Sequence, residues 1–536
     1  MASVPTGPNP ASGGVATTPQ SPAPGRTAGL PTAVTVAVVG AGTMGAGIAQ
    51  IAALAGHRVQ LHDARFGAAD AAKQSLAATF DKLVARGKLA GDAAAAALAR
   101  IVTVGTLADA CVAGLVIEAI VEDLAAKRTL FAQLEPLVDP GAILASNTSS
   151  LSITALAQGM LRPGRVVGMH FFNPVPLMPL VEVVSGLATD PAVAATIAAT
   201  AGAWGKTPVH AASTPGFIVN RCARPFYAEA LRLLAERAAD PATLDAVLRE
   251  AGGFRMGPCE LMDLIGHDVN FAVTRSVWDA FFHDPRFAPS VLQGELVAAG
   301  FLGRKSGRGF YDHAADAAPP APATEAPAPR PARAVVHGDL AAAAPVADRL
   351  AAAGVAVERV GADSRFPRGS IAVGEARLVP SDGRTATATA LAAGAPNVVA
   401  FDLAFDYAAA TRLAVARADT CAEAPYAAAV GALQAAGFAV SRLDDVPGLA
   451  VLRTVAMLAN EAADAVQQGV ATAAAVDLAM TLGVAYPRGP LAWADLAGAD
   501  HIAAALRHLA DHYGEDRYRT APLVARRAAT GGKLHG

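Results

Sequence analysis

A chain of 536 residues is too long for one compact domain and divides most naturally into three or four. With 53% hydrophobic residues, 17% charged residues and a formal net charge of -3, it can build buried cores, and it has no charge excess to draw it to nucleic acid or an anionic membrane. Its four cysteines, Cys111, Cys222, Cys259 and Cys421, show neither a CxxC pair nor metal-ligand spacing, so free thiols, no metal site and a reducing compartment are expected.

Residues 1–31 are rich in Pro, Gly, Ala, Ser and Thr and lack the charged and apolar regions of a signal peptide, so a disordered tail is expected there. No apolar stretch reads as a membrane span, and a soluble, cytoplasmic protein is expected. Order begins with a strand over 34–39 that runs into Gly40-Ala-Gly42-Thr-Met-Gly45. A helical pattern continues to Leu54, Gly56 stops it, and 58–62 reads as a second strand closed by Asp63. Strand, glycine loop, helix, strand and acid form the βαβ setting in which GxGxxG carries meaning.

In that setting Gly40 permits a tight turn, Gly42 lets the backbone approach a pyrophosphate, and Gly45 lets helix pack on strand. Thr43 and Met44 complete the loop, where the unpaired amides of a helix start favour phosphate. Asp63 is placed to accept hydrogen bonds from ribose hydroxyls and to repel a 2′-phosphate, which selects NAD over NADP.

Further strands are expected at 101–104, 115–119, 142–145, 166–169 and 180–184, with helices between them. The alternation predicts an α/β Rossmann domain, a doubly wound parallel sheet, over 32–213. Helical periods then dominate, giving an all-helical substrate or dimerisation domain over 214–313. An Ala/Pro linker follows over 314–333, then a degenerate Rossmann-like segment over 334–445 without a glycine fingerprint, and a second helical domain over 446–536. The last is a repeat: Pro215-Gly-Phe-Ile-Val-Asn-Arg221 returns as Pro447-Gly-Leu-Ala-Val-Leu-Arg453, an offset of 232 residues (447 − 215). The same offset carries Asp245 onto Asp477, Gly257-Pro258 onto Gly489-Pro490, Asp263 onto Asp495 and Gly266 onto Gly498. It replaces Asn220 with Leu452, which predicts a second half without an active site.

Two features suggest chemistry. Ser146-Asn-Thr-Ser-Ser150 follows a predicted strand at the carboxyl edge, where such sheets bind ligands. Glu182 stands within the apolar run Leu180-Val-Glu-Val-Val184, and a buried carboxylate needs a partner. His170, across a turn containing Asn173-Pro174 and Pro176, is the nearest candidate, and the carboxylate would make it a better base. A satisfied core histidine and a polar turn are the structural alternatives.

The phrases SNTSS (146–150), HFFNPVPLMPLVEVV (170–184), TPGFIVNR (214–221) and MGPCELMDLIG (256–266), with the glycine loop, resemble the 3-hydroxyacyl-CoA dehydrogenases over about residues 34–313. The resemblance implies an acyl-CoA substrate, NAD as cofactor, His170 and Glu182 as the catalytic pair, and Ser149 and Asn220 on the substrate oxygens. It also implies nicotinamide-end contacts from Glu122, Lys127, Asn147 and Lys305. Lys73, Lys82, Arg86 and Lys88 are the nearest cations for coenzyme A phosphates, and Arg221, Arg224 and Arg255 are candidates for a carboxylate at the far end of a substrate. The long form resembles bacterial members assigned to 3-hydroxybutyryl-CoA or 3-hydroxyadipyl-CoA, the latter arising in phenylacetate breakdown. A homodimer or a pseudo-dimeric monomer is expected, the second half covering the first helical domain as a partner subunit would. A dehydrogenase of free β-hydroxyacids, or an NAD-binding protein without turnover, are the other readings.

Overall fold

The computed structural model describes residues 28–536, so most of the tail expected at 1–31 lies outside the described residues. Its last part is ordered: the Leu30 amide donates to Thr200 Oγ1 at 3.0 Å, and Gly29 lies against the backbone of Ala199.

The first sheet contains β1 (Val36–Val39), β2 (Val59–His62), β3 (Ile101–Thr103), β4 (Leu115–Glu118), β5 (Ile143–Ser146), β6 (Val166–Phe171), β7 (Leu180–Ser185) and β8 (Thr207–Ala212). Their order is β3-β2-β1-β4-β5-β6-β7-β8. The first six strands are parallel and doubly wound, but β7 runs antiparallel to β6, so the sheet is mixed rather than parallel. β8, which sequence reasoning did not anticipate, pairs parallel with β7. Strands β1, β2, β4 and β5 are buried at every position, as expected for a sheet covered on both faces. One face packs on Ile48, Phe80 and Trp204, the other into a core continuous with the helices that follow.

The second sheet holds β9 (Arg333–His337), β10 (Ala356–Val360), β11 (Ser370–Val373), β12 (Ala376–Pro380), β13 (Val398–Phe401), β14 (Arg412–Arg417) and β15 (Ala439–Arg442), in the order β10-β9-β11-β12-β13-β14-β15. The Ala/Pro stretch before it is no free spacer. The amides of Ala323, Glu325 and Ala328 donate to Thr243 Oγ1, Val440 O and Gln434 Oε1 at 2.8 Å each.

The 232-residue offset reaches further back than the helical repeat. It carries β7 onto β14 residue for residue, the helix Pro191–Ala203 onto Glu423–Ala435, and the start of β8 onto that of β15. The parallel, antiparallel, parallel sequence of β5 to β8 recurs in β12 to β15. The duplication therefore begins inside the Rossmann sheet.

The repeated residues are helix anchors. Asp245 accepts the amides of Cys259 and Glu260 at 2.9 and 2.8 Å at the start of Pro258–Ile265. Asp477 does the same for Leu491 and Ala492, also at 2.9 and 2.8 Å, at the start of Pro490–Ala497. A Cβ at Gly257 or Gly489 would lie 2.2 Å from these carboxylate side chains, which is why glycine precedes each helix. The two helical copies meet across a local two-fold. Arg221 Nε pairs with Glu461 Oε1 at 2.6 Å, and Arg453 Nε pairs with Glu229 Oε2 at 2.7 Å, each member displaced from its counterpart by the same offset. That reciprocity is the mark of an isologous contact. Among the described residues no helix is long and apolar enough to cross a membrane.

Candidate active site

The glycine loop leaves β1 through Gly40, whose φ of 106° and approach to Ala119 O (2.4 Å from a hypothetical Cβ) exclude a side chain. At Gly45 a Cβ would lie 1.8 Å from Gly40 O. Gly42 differs: a Cβ there would meet nothing within 4 Å, and the helix Thr43–Leu54 that it starts has no side-chain cap. Open space before uncapped first-turn amides suits a pyrophosphate.

Asp63 ends β2 beside this loop and accepts the Ala41 amide at 2.8 Å, the Arg65 amide at 2.9 Å and the Arg65 guanidinium at 3.1 Å. Burial acts to raise its pKa, but Arg65 and the two amides outweigh it and hold the carboxyl at about 2. It is therefore charged and able to accept further hydrogen bonds such as a ribose would offer, and these residues fit NAD.

The β6–β7 hairpin places His170 and Glu182 directly opposite one another. Sequence reasoning expected His170 after the strand, whereas it lies within β6. Glu182 is completely buried, and three donors converge on it. Oε2 lies 2.6 Å from His170 Nδ1, while Oε1 accepts the amides of Ile218 and Val219 at 2.9 and 3.0 Å. The carboxylate thus ties the sheet to the first helical domain while fixing the imidazole. With Nδ1 donating to a carboxylate, Nε2 is left as the acceptor. His170 sits between Phe172 and Phe217, ring centroids 4.5 and 5.9 Å away, and among the described residues Nε2 has no hydrogen-bond partner.

His170 lines a cleft of about 380 Å³ with Met44, Glu122, Lys127, Asn147, Ser149 and Asn220. Asn220 Nδ2 donates to Ser149 O at 3.2 Å, leaving its second amide hydrogen and its oxygen free. Ser149 Oγ donates to Glu122 Oε1 at 3.1 Å, so its remaining capacity is as an acceptor unless that bond is exchanged. Glu122 also accepts from Thr148 Oγ1 at 2.7 Å and from the amides of Ser149 and Ser150 at 2.8 and 3.1 Å. Burial pushes its carboxyl upward, and Lys127, the Thr148 hydroxyl and the Ser149 amide together bring it below the ordinary range. Asn147 Oδ1 accepts the Phe171 amide at 2.9 Å and so aligns β6 behind His170.

Sequence reasoning missed Glu118. Fully buried at the end of β4, it holds Lys127 Nζ at 2.5 Å, Ser146 Oγ at 2.7 Å and the Ile120 amide at 2.7 Å. Its signal was the one used for Glu182, a carboxylate inside an apolar strand run. Lys127, 1% exposed, is consequently held by Glu118 and Glu122 rather than free for a ligand.

Other sequence-selected cations lie elsewhere. Lys305 is 45% exposed, pairs with Asp268, and is not among the residues lining the cleft. Its glycine-rich loop is packed on Asp263, against which Gly303 and Gly309 close tightly. Arg221 is neutralised by Glu461, and Arg255 is exposed. Lys73 is half-buried, and Lys82, Arg86 and Lys88 are exposed on or just beyond the helix Ala68–Ala85.

Residues 35–214 match the 3-hydroxyacyl-CoA dehydrogenase NAD binding domain, and residues 216–313 and 448–534 both match the C-terminal domain of the same enzymes. Residues 378–447 match the 3-hydroxybutyryl-CoA dehydrogenase reduced Rossmann-fold domain. The chain is 44% identical over 494 residues to 3-hydroxyadipyl-CoA dehydrogenase of Escherichia coli (strain K12), covering 92% of this chain and 97% of that protein. It is 43% identical over 276 residues to a probable 3-hydroxybutyryl-CoA dehydrogenase of Deinococcus radiodurans, covering 52% of this chain and 99% of that one. Among solved structures, 3-hydroxybutyryl-CoA dehydrogenase from Escherichia coli K12 superposes with a TM-score of 0.82 at 42% identity, over 93% of this chain and 98% of that one. The chain belongs to the 3-hydroxyacyl-CoA dehydrogenase family, with an NAD-binding Rossmann domain and a C-terminal domain that occurs twice.

Proposed function

We propose that the chain oxidises the 3-hydroxyl of (3S)-3-hydroxyadipyl-CoA to the 3-oxo thioester, with His170 as base. The observation that carries this reading is the buried His170–Glu182 pair, 2.6 Å apart, with the other imidazole nitrogen unpartnered at the cleft. Gly40, Gly42, Thr43, Met44, Gly45 and Asp63 would hold NAD, which when bound supplies the hydride acceptor. His170 Nε2 takes the hydroxyl proton as C3 loses hydride, and the Glu182 carboxylate stabilises the imidazolium that forms. Asn220, with one amide hydrogen free, donates to a substrate oxygen, and Ser149 Oγ accepts or exchanges its bond to Glu122. In reverse, protonated His170 is the acid.

The six-carbon dicarboxylyl substrate follows the relative that matches this chain nearly end to end, and it would place the enzyme in cytoplasmic phenylacetate catabolism. 3-Hydroxybutyryl-CoA is the second reading, because the superposed structure over the same span carries that name. The test is NAD reduction by wild type and His170→Gln. We expect kcat to fall by more than about a hundredfold, the low end for a general base, with NADH affinity unchanged. Near-wild-type turnover would remove His170 from the chemistry, and no turnover of either thioester by wild type would overturn the assigned reaction.

A further inference from the structure

Six arginines are buried among the described residues. Arg165, Arg221, Arg286, Arg412 and Arg453 each hold a carboxylate, respectively Glu135, Glu461, Glu461, Glu250 and Glu229, at 3.4, 2.6, 3.2, 3.1 and 2.7 Å. Arg224 holds none. Its Nε donates to Asn220 O at 2.9 Å, one terminal nitrogen donates to Thr274 Oγ1 at 3.2 Å, and the guanidinium lies 4.8 Å from the Tyr227 ring centroid. Among the described residues the other terminal nitrogen donates to no acceptor. A buried guanidinium without a counter-charge costs free energy that the other five avoid, and burial pulls its pKa downward.

Its position gives that cost a purpose. Arg224 follows Asn220 by four residues, opening the helix Arg224–Ala235 just after the short helix Val219–Cys222 that carries Asn220, and lines a partly open cavity of about 170 Å³ with Tyr227, Thr274 and Gln293. The cleft at His170 is lined by Asn220 and Val273, and the cavity by Arg224 and Thr274: Asn220 lies four residues before Arg224 in the preceding short helix, and Val273 is the chain neighbour of Thr274. A substrate held with its C3 oxygen near His170 and Asn220 would direct its far end at this cavity.

We propose that Arg224 receives the terminal carboxylate of a 3-hydroxydicarboxylyl-CoA, and so sets the enzyme's preference for dicarboxylyl over plain acyl thioesters. The inference rests on the dehydrogenase reaction proposed above. A planar guanidinium with free donors matches a carboxylate. A short acyl chain ending in methyl leaves Arg224 buried and uncompensated, which is how a polar subsite rejects an analogue lacking the matching group.

The test compares kcat/KM for 3-hydroxyadipyl-CoA and 3-hydroxybutyryl-CoA in wild type, Arg224→Met and Arg224→Lys. Wild type should prefer the adipyl thioester. Arg224→Met should lower the adipyl-to-butyryl ratio at least about fiftyfold, mostly through KM for the adipyl substrate. Arg224→Lys, which keeps the charge, should recover part of that ratio. The melting temperature of Arg224→Met should hold or rise, because an uncompensated buried charge has been removed. If wild type prefers adipyl but Arg224→Met loses equally on both substrates, or melts lower with an unchanged ratio, Arg224 merely supports Asn220 and the inference falls while the reaction stands. A wild type that favours 3-hydroxybutyryl-CoA overturns both the inference and the adipyl substrate.

Discussion

Replacing Glu182 by Gln separates its two duties. One oxygen of Glu182 accepts the Ile218 and Val219 amides, and the other faces His170 Nδ1. A glutamine has one oxygen and one NH₂ to divide between these sites. With the oxygen on the two amides, the NH₂ donates one hydrogen to Nδ1, all three contacts are kept, and the imidazole proton is forced onto Nε2, where it blocks the base. The reverse orientation restores the competent tautomer but loses two hydrogen bonds of about 1 kcal/mol each and leaves buried donors opposed, roughly 1–3 kcal/mol more. The difference, roughly 3–5 kcal/mol, leaves the competent tautomer populated in about one molecule in a hundred to one in ten thousand. We therefore expect kcat for NAD-dependent oxidation, followed by NADH absorbance, to fall about a hundred- to ten-thousandfold. The melting temperature should move by less than about 3 °C, since the preferred orientation keeps all three hydrogen bonds that Glu182 makes. A loss below tenfold in a folded variant refutes the tautomer reasoning. A large loss with collapse of the melting temperature shows Glu182 acting mainly as the clamp on the helical domain.

Three further outcomes are expected. Arg453→Ala leaves Glu229 buried without its closest cation and should cost about 3–5 kcal/mol in urea unfolding; a change below about 1 kcal/mol would show the reciprocal ion pairs to be incidental. Asp402 is fully buried on four amides, those of Leu403, Ala450, Val451 and Leu452, and burial outweighs them to raise its carboxyl from the ordinary 3.8 to about 6. The folded chain thus keeps this proton longer than the unfolded one, so its contribution falls as pH climbs from about 4 to about 6. The stability advantage of wild type over Asp402→Asn should shrink across that window by up to about 3 kcal/mol, and an advantage that grows with pH would contradict the sign. Truncation after Tyr311 strips Arg221 and Glu229 of their partners; light scattering should show an insoluble or self-associated fragment, and a soluble, fully active fragment of unchanged oligomeric state would show that the second half is not a built-in partner.

What could be read from sequence was the chemistry with a local cause. Gly40, Gly42, Gly45 and Asp63 are constrained by one βαβ unit, and Glu182 betrays itself as a charge in an apolar strand. Asp245 and Asp477 were visible as repeated letters, although their role as helix anchors emerges only from the amides they accept. Where Lys305 points was not legible, because a glycine-flanked loop does not reveal which way it folds; here Lys305 pairs with Asp268 and its loop packs on Asp263. The second Rossmann-like sheet was legible as a degenerate segment, but not its share in the 232-residue offset, because its strands kept hydrophobic pattern and not motif residues. The offset that carries Arg221 onto Arg453 also carries His170 onto Asp402 and Glu182 onto Ala414. Asp402 binds the amides of Ala450 and Val451, counterparts of the two that Glu182 binds. The clamp has moved from the middle of one strand to the residue just past the end of its neighbour, and the base is gone.

The local two-fold has a consequence for how this protein tolerates change. In an assembly of identical chains each substitution is written twice, so any residue at the shared contact must satisfy the catalytic and the supporting role together. Here the two roles lie on separate stretches of one polypeptide. Leu452 and Asp402 can serve packing alone while Asn220 and His170 stay with the cleft. Covalent linkage also fixes the ratio of the two halves at one to one whatever the protein concentration, so dilution cannot separate the reciprocal pairs Arg221–Glu461 and Arg453–Glu229.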